Sequence, residues 1–407
     1  MTKNNDEKIW NPRFTRVAII TTMFNMGHFM MNTLVPKYVD SLGATAVLVG
    51  IVSSMFAVTS LAIRPFSGPA MDYYRKNRML SLALGLIVLA FIGYGFSKSV
   101  PLIVFSRLIH GIGTGIAAPL SMAMASSALP ESKLASGLGI FSINQAIATA
   151  IGPTVGLALS GSFGYSAAFF IVAGFVFISF LLTFQLKSTA LPKKSKFKLQ
   201  LKRIIVPEVV VPAVITMFIT IAFSSISFFV VIFGGLRGVA NIGLYFMAYA
   251  VALLASRPIS GKIADKFGAD KAIIPGLVLF GLSFVLLSTA DTLVMFLAAG
   301  VVNAFGYGIC VPLLMTLCMQ LVPNSKRGAA SNTNYIGTDT GYLLGPTLAG
   351  FIVTSVKTST GNEIAGYETM YLLMIIPVAL ALVVLIIRRK KLNERLKIAR
   401  ESNESQP

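Results

Sequence analysis

Three groups of polar side chains inside apolar runs of this chain could exchange protons or hold a polar ligand. The first is Arg107-Leu-Ile-His110-Gly111-Ile-Gly113-Thr114-Gly115. A guanidinium costs several kcal/mol in hydrocarbon, so it faces a partner or a water-filled cavity. At roughly 100° per residue, Arg107, His110, Thr114 and Ser121 share one helix face, with Gly111 and Gly115 as a close-packing ridge beside it. The second group, Thr21, Asn25, His28 and Asn32, forms one face among Met23, Met26, Met30 and Met31, which add adaptable apolar surface. The third is Asn332, Tyr335, Asp339 and Tyr342, in a sector roughly opposite the ridge Gly337, Gly341 and Gly345.

Asp339 is thereby aimed away from the close helix contact and is the leading candidate for proton exchange. The competing reading is a neutral, hydrogen-bonded carboxyl that braces the bundle. Arg107, His110 and His28 are further proton-coupling candidates, because histidine ordinarily titrates near neutral pH. A structural ion or carbonyl contact is the alternative for Arg107, and a hydrogen-bonding pore residue is the alternative for each His. Asn25, His28, Asn32, Thr114, Tyr335, Asp339 and Tyr342 are the residues expected to line a substrate cavity. Phe218, Phe223, Phe228, Phe229 and Phe233 could meet an aromatic substrate, and lipid-facing packing explains them equally well.

The elements that must carry these groups are membrane helices. Hydrophobic residues make up 55% of the 407-residue chain and charged residues 12%, and the mean hydropathy is +0.78; soluble domains carry roughly 25% charged residues. A crossing helix needs about 20 largely apolar residues. Such runs centre on Met26, Met55, Val88, Gly113, Ala148, Gly174, Ile221, Tyr249, Leu279, Gly306, Leu343 and Pro377, with short breaks between them as at Ser97 to Pro101 and Gly161 to Tyr165, which predicts an all-α, twelve-span membrane protein.

The chain also repeats itself. Arg64-Pro65-Phe66-Ser67-Gly68 with Asp72 returns 193 residues later as Arg257-Pro258-Ile259-Ser260-Gly261 with Asp265. At the same offset Pro119 maps to Pro312, Lys133 to Lys326 and Gly152-Pro153-Thr154 to Gly345-Pro346-Thr347. Duplicated membrane halves are the mark of secondary transporters, which bind between the halves near the midplane. The expected domains are a six-helix bundle over 1–186, a basic linker over 187–204, a second six-helix bundle over 205–390 and a tail over 391–407.

The net charge of +19 follows the same plan. With both termini and the linker cytoplasmic, every Lys and Arg except Lys37, Lys98, Arg107, Arg237 and Lys357 falls on or beside a cytoplasmic segment, as the positive-inside rule requires. Basic residues that alternate with spans do not build a nucleic-acid-binding face; they read as topology signals with some attraction to anionic lipid. No secretory signal is evident at the N-terminus. Cys310 and Cys318 lie eight residues apart on one predicted helix, about 12 Å at about 1.5 Å per residue, beyond disulfide reach. No zinc spacing and no phosphate loop occurs, so neither a metal nor another cofactor is expected.

The turn from Gly68 through Asp72 to Arg75, and its second copy Gly261, Asp265, Lys266 and Gly268, resemble the signature of the major facilitator superfamily. The second copy follows the pattern closely; the first has Tyr73 in a basic position and Arg75 where glycine is usual. The resemblance implies a conformational latch in which Asp72 meets the start of span eleven near Ser331, and Asp265 the start of span five near Ser136. The span-four motif resembles that of proton-coupled members, with His110 where glutamine is common. Ile151-Gly152-Pro153-Thr154-Val155-Gly156 resembles the antiporter signature of the twelve-helix drug:proton branch, with Gly152, Pro153, Gly345 and Pro346 as helix kinks. Members of that branch often carry an acid on span one. None lies between Arg16 and Asp40, which turns attention to Asp339 and, as a weaker candidate, Glu208.

The resemblance implies a multi-pass plasma-membrane transporter of a bacterial inner membrane, acting as a monomer and not as an enzyme. The expected activity is proton-coupled export of small amphipathic organic compounds, a multidrug-type efflux. The alternatives are transport of one metabolite, such as a sugar or siderophore, and a non-transporting receptor.

Overall fold

The computed structural model describes residues 9–130, 134–186, 205–267, 269–322 and 326–404. The linker and Lys133 lie outside the described residues. Each of the twelve predicted span centres falls within a helix. Among the described residues, eight helical stretches are long and apolar enough to cross a bilayer on length and composition alone. Helix is the form an apolar chain takes where water cannot satisfy the backbone, because every N–H and C=O then pairs within the segment.

The first group of helices comprises α1 (Pro12–Ser41), α2 (Ala46–Tyr73), α3 (Lys76–Phe96), α4 (Val100–Ser126) and α5 (Leu134–Thr183). Asn11 starts α1 by accepting from the backbone N–H groups of Arg13, at 3.1 Å, and Phe14, at 2.9 Å, which satisfies donors that have no intrahelical partner. The break predicted between the third and fourth spans falls at Ser97 to Ser99. The break predicted over Gly161 to Tyr165 is a single residue, Gly164, whose φ of 78° and ψ of 167° interrupt an otherwise continuous α5. A side chain would strain that conformation.

After a 3-10 turn at Pro207–Val209 come α6 (Val210–Leu236), α7 (Leu244–Phe267), α8 (Ala269–Ser288), α9 (Leu293–Gln320), α10 (Arg327–Thr360), α11 (Glu363–Leu373) and α12 (Ile375–Glu404). Gly361 ends α10 in the left-handed region, and the Asn362 side chain caps α11 through the Ala365 N–H at 3.2 Å. Cys310 and Cys318 are both buried on α9 and both free.

Two compact units account for the described residues. One takes its residues from Met1–Val35 and Val58–Gln200, the other from Pro36–Ala57 and Leu201–Pro407. Within the first, α3 packs on α4 and α5, and Gly152 of α5 lies against the backbone of α1, where an added Cβ would sit 3.1 Å from the Met26 carbonyl oxygen. Within the second, α6 is the central helix, with α9, α10 and α12 against it. Phe223, Phe228, Phe229 and Phe233 are therefore buried in the protein, which corrects the lipid-facing reading of these four side chains.

The second unit also includes residues 36–57. There the α2 backbone meets α10, with Ser54 Oγ 3.2 Å from Thr347 Oγ1 and the Val47 N–H donating to Thr354 Oγ1 at 3.3 Å. Gly50 faces the Pro346 carbonyl and Gly350 faces the Ala46 carbonyl so closely that neither position has room for a Cβ.

Candidate functional site

The polar stripes of α1 and α4 meet inside the first unit. Arg107 and His110 are completely buried and Asn32 nearly so. Arg107 Nη1 donates to Asn32 Oδ1 at 3.2 Å, Asn32 Nδ2 lies 3.0 Å from His28 Nε2, His28 Nδ1 lies 3.1 Å from His110 Nε2, and His110 Nδ1 lies 3.3 Å from the Tyr94 hydroxyl. Arg107 also lies beside Tyr94, with its guanidinium carbon 6.0 Å from the centre of that ring. The loop of contacts is closed.

Its donor directions follow from one residue. A guanidinium only donates, so the Asn32 oxygen faces Arg107 and the Asn32 amide donates to His28 Nε2. His28 then carries its proton on Nδ1 and donates to His110 Nε2. His110 in turn carries its proton on Nδ1 and donates to the Tyr94 oxygen. In this arrangement both imidazoles are neutral, and protonating either Nε2 would turn an acceptor into a donor facing another donor. The arrangement holds one tautomer of each ring and would be reorganised by an added proton.

α1 and α4 each bring one polar face to this interior, and α3 adds the lone hydroxyl of Tyr94. Phe91 closes the site edge-on to His110, with ring centres 4.9 Å apart. Thr114 turns its hydroxyl onto its own helix, donating to the carbonyls of His110 at 3.1 Å and Gly111 at 3.2 Å. Asn25 is half-buried one turn from His28. Asn32 and Thr114 are both buried, with their polar atoms engaged inside the first unit. Tyr94 was not among the candidate residues. As a lone hydroxyl in the apolar run of α3, it offers no stripe or motif by which to find it.

In the second unit the Gly337, Gly341 and Gly345 ridge packs on α6 as its spacing predicts. An added Cβ at Gly341 would lie 2.8 Å from the Met217 carbonyl oxygen, and one at Gly345 would lie 2.5 Å from that of Ile221. Asp339, two residues from both Gly337 and Gly341, is buried on the other side of α10. Tyr342 neighbours Asp339 and Tyr307 electrostatically and packs against Phe56 and Phe228, at 5.7 and 6.1 Å between ring centres. Tyr307 stacks on Phe223 at 3.9 Å. Tyr335 is half-buried on the Asp339 side. Sequence reasoning also missed Asn334, whose oxygen accepts from Thr216 Oγ1 at 2.8 Å and from the Cys318 thiol at 3.7 Å.

The repeated turns lie at the ends of α2 and α7. The side chains of Gly68, Asp72, Gly261, Asp265 and Lys266 lie outside the described residues, as does that of Ser136. Arg75 is described and precedes α3 in an extended conformation. Pro153 and Pro346 are both inside continuous helices. Among the described residues no cluster of His, Cys, Asp and Glu could hold a metal ion.

A family model described as Major Facilitator Superfamily matches residues 17–241 and 238–406. The chain is 27% identical over 338 residues to the multidrug resistance protein MdtG of Salmonella paratyphi C, covering 79% of this chain and 83% of that protein. Its fold resembles that of a bacterial homologue of the human lysosomal transporter Spinster, solved inward-facing and occupied, with a TM-score of 0.77, 13% identity and coverage of 94% and 97% of the two chains. It also resembles the nucleoside transporter NupG, with a TM-score of 0.72, 13% identity and coverage of 92% and 99%.

Proposed function

Because the chain belongs to the major facilitator superfamily, a family of multi-pass membrane transporters, we propose that it exports small amphipathic organic compounds in exchange for protons. It does so by alternating access of a central site between two six-helix bundles, residues 1–186 and 205–390. The twelve spans leave both termini and the linker over 187–204 in the cytoplasm of a bacterial cell. Asp72 and Asp265 latch the cytoplasmic side.

The observation that carries the proton-coupled reading is the burial of a single carboxyl, Asp339, on the α10 face turned from α6. Ionisable side chains buried in membrane proteins are costly and mark ion or proton pathways. The loop around Arg107 holds His28 and His110 each in one neutral tautomer, which leaves the Asp339 carboxyl as the group that exchanges the proton. The aromatic surface of Phe223, Tyr307, Phe228 and Tyr342 beside Asp339 suits amphipathic substrates better than multiply charged ones. The likeness to MdtG favours export of several compounds.

Reconstituted vesicles with a pH-sensitive dye inside test this reading. Adding hydrophobic drugs should drive proton movement through the protein, and a susceptibility panel should show protection against more than one compound. Proton movement with a single metabolite alone would favour the one-metabolite alternative. Binding without any flux would favour a receptor.

A further inference from the structure

The second unit contains a buried polar cluster that the transport mechanism does not use. Asn303 of α9 is completely buried, and neither its amide oxygen nor its amide nitrogen has a hydrogen-bond partner among the described residues. The same holds for the hydroxyls of Tyr245 on α7 and Tyr371 on α11, both at most 1% exposed. These groups occupy one region. The Tyr245 ring lies against Gly300, one turn from Asn303 on the same helix, and Tyr371 is an electrostatic neighbour of Tyr245. Phe233 joins the two sides, with ring centres 5.6 Å from Phe296 of α9 and 5.5 Å from Tyr371.

Asn303 stands 193 residues after His110, and Gly300 stands 193 after Arg107. Both halves thus bury a polar side chain at the same place in the repeat. In the first half that side chain is satisfied by His28 and Tyr94. In the second the arginine is a glycine, and the polar atoms of Asn303, Tyr245 and Tyr371 have no hydrogen-bond partner among the described residues. Buried polar atoms in native proteins are almost always hydrogen-bonded to protein or to ordered water. Four such atoms together require a bridging ligand.

The chemistry of the cluster defines that ligand. Two phenols and one amide present both donors and acceptors, and none carries a charge. Arg237, a cation over the Phe233 ring, is paired with Glu368. One carbonyl oxygen is far from the six to eight oxygens a calcium ion takes. A small neutral molecule that both donates and accepts fits, and water makes about three such bonds when buried. We infer that the C-terminal unit encloses a hydrated site in which water bridges the Asn303 amide to the Tyr245 and Tyr371 hydroxyls, as the solvated counterpart of the Arg107–His110 network.

Hydroxyl-radical labelling of the full-length protein in lipid nanodiscs, in oxygen-18 water, tests this directly. Tyr245 and Tyr371 should be labelled several-fold faster than Phe229, an equally buried aromatic of the same unit. Asn303→Leu should bring both tyrosines down to the Phe229 rate. If that variant does not assemble, Tyr371→Phe keeps the ring and removes one water partner, and its melting temperature should fall. Labelling of the two tyrosines at the Phe229 rate would overturn the inference. So would a melting temperature raised by Tyr371→Phe, because removing an unsatisfied buried hydroxyl stabilises.

Discussion

Arg107 and Asn32 bind each other across 75 positions of sequence, Nη1 to Oδ1 at 3.2 Å, and that contact sets the direction of every hydrogen bond in the loop through His28, His110 and Tyr94. Asn32→Ala should cost about 1.5–3 kcal/mol, the range for a hydrogen bond to a charged group, and should release the tautomers of both histidines. Thermal unfolding of the purified variant measures the first effect. Imidazole nitrogen NMR measures the second, as a mixture of tautomers replacing a single one. Arg107→Lys should not restore the parent stability, because an ammonium lacks the planar fork that reaches Asn32 and Tyr94 together.

The glycine ridge of α10 admits a second test. Gly341 sits against Thr220 and the Met217 carbonyl of α6, so Gly341→Val forces the helices apart. Overpacking of this kind costs about 1–3 kcal/mol. A lowered melting temperature is expected, while the same change at Gly174, where a Cβ meets nothing within 4 Å, should be nearly silent.

Asp40 lies at the end of α1, beyond the about 20 residues needed for a span centred on Met26. Burial, with the nearby Glu363 carboxylate, raises its carboxyl above the ordinary aspartate range, against the opposing pull of Lys357 and Lys37. The folded protein therefore binds more protons than the unfolded chain in the window above an ordinary aspartate pKa, and stability falls as pH rises through it. Asp40→Asn removes that penalty. Melting curves from acid to neutral pH should show the variant more stable at neutral pH, with the difference closing toward strong acid. A constant difference would exclude Asp40 as its source.

Much of this was legible in the sequence. The repeat, the helix centres, the break resolved at Gly164 and the Gly337–Gly341–Gly345 ridge all follow from apolar run length and helical periodicity, which act locally. What the sequence hid is pairing across helices. Helical wheels put His28 and Asn32 on one face and Arg107 with His110 on another, but nothing in either pattern says that the two faces meet and consume each other's hydrogen bonds. Tyr94 completes the loop from a helix with no polar stripe. The phenylalanines of α6 stayed ambiguous for a related reason: an all-apolar helix has no face to read, so burial at the centre of a unit and exposure to lipid look alike.

Under the proposed function, Asp72 and Asp265 act as latches on the conformational balance. Asp265→Asn removes a charge whose interaction with a helix terminus is worth about 0.3–1 kcal/mol, and roughly 2 when partly buried. Slower turnover with near-normal substrate binding is expected in a vesicle flux assay paired with equilibrium binding. Unchanged turnover would reduce the repeated turn to a connector.

Proton coupling at Asp339 is the central claim, and one measurement bears on it most directly: substrate accumulation against its gradient, driven by an imposed pH difference, in vesicles containing Asp339→Asn. The variant keeps the size and hydrogen bonding of the side chain and cannot release a proton. Accumulation should be lost while substrate binding and substrate-for-substrate exchange persist. An Asn variant that still concentrates substrate with the parent's pH dependence would contradict the account and leave Asp339 a structural residue of α10.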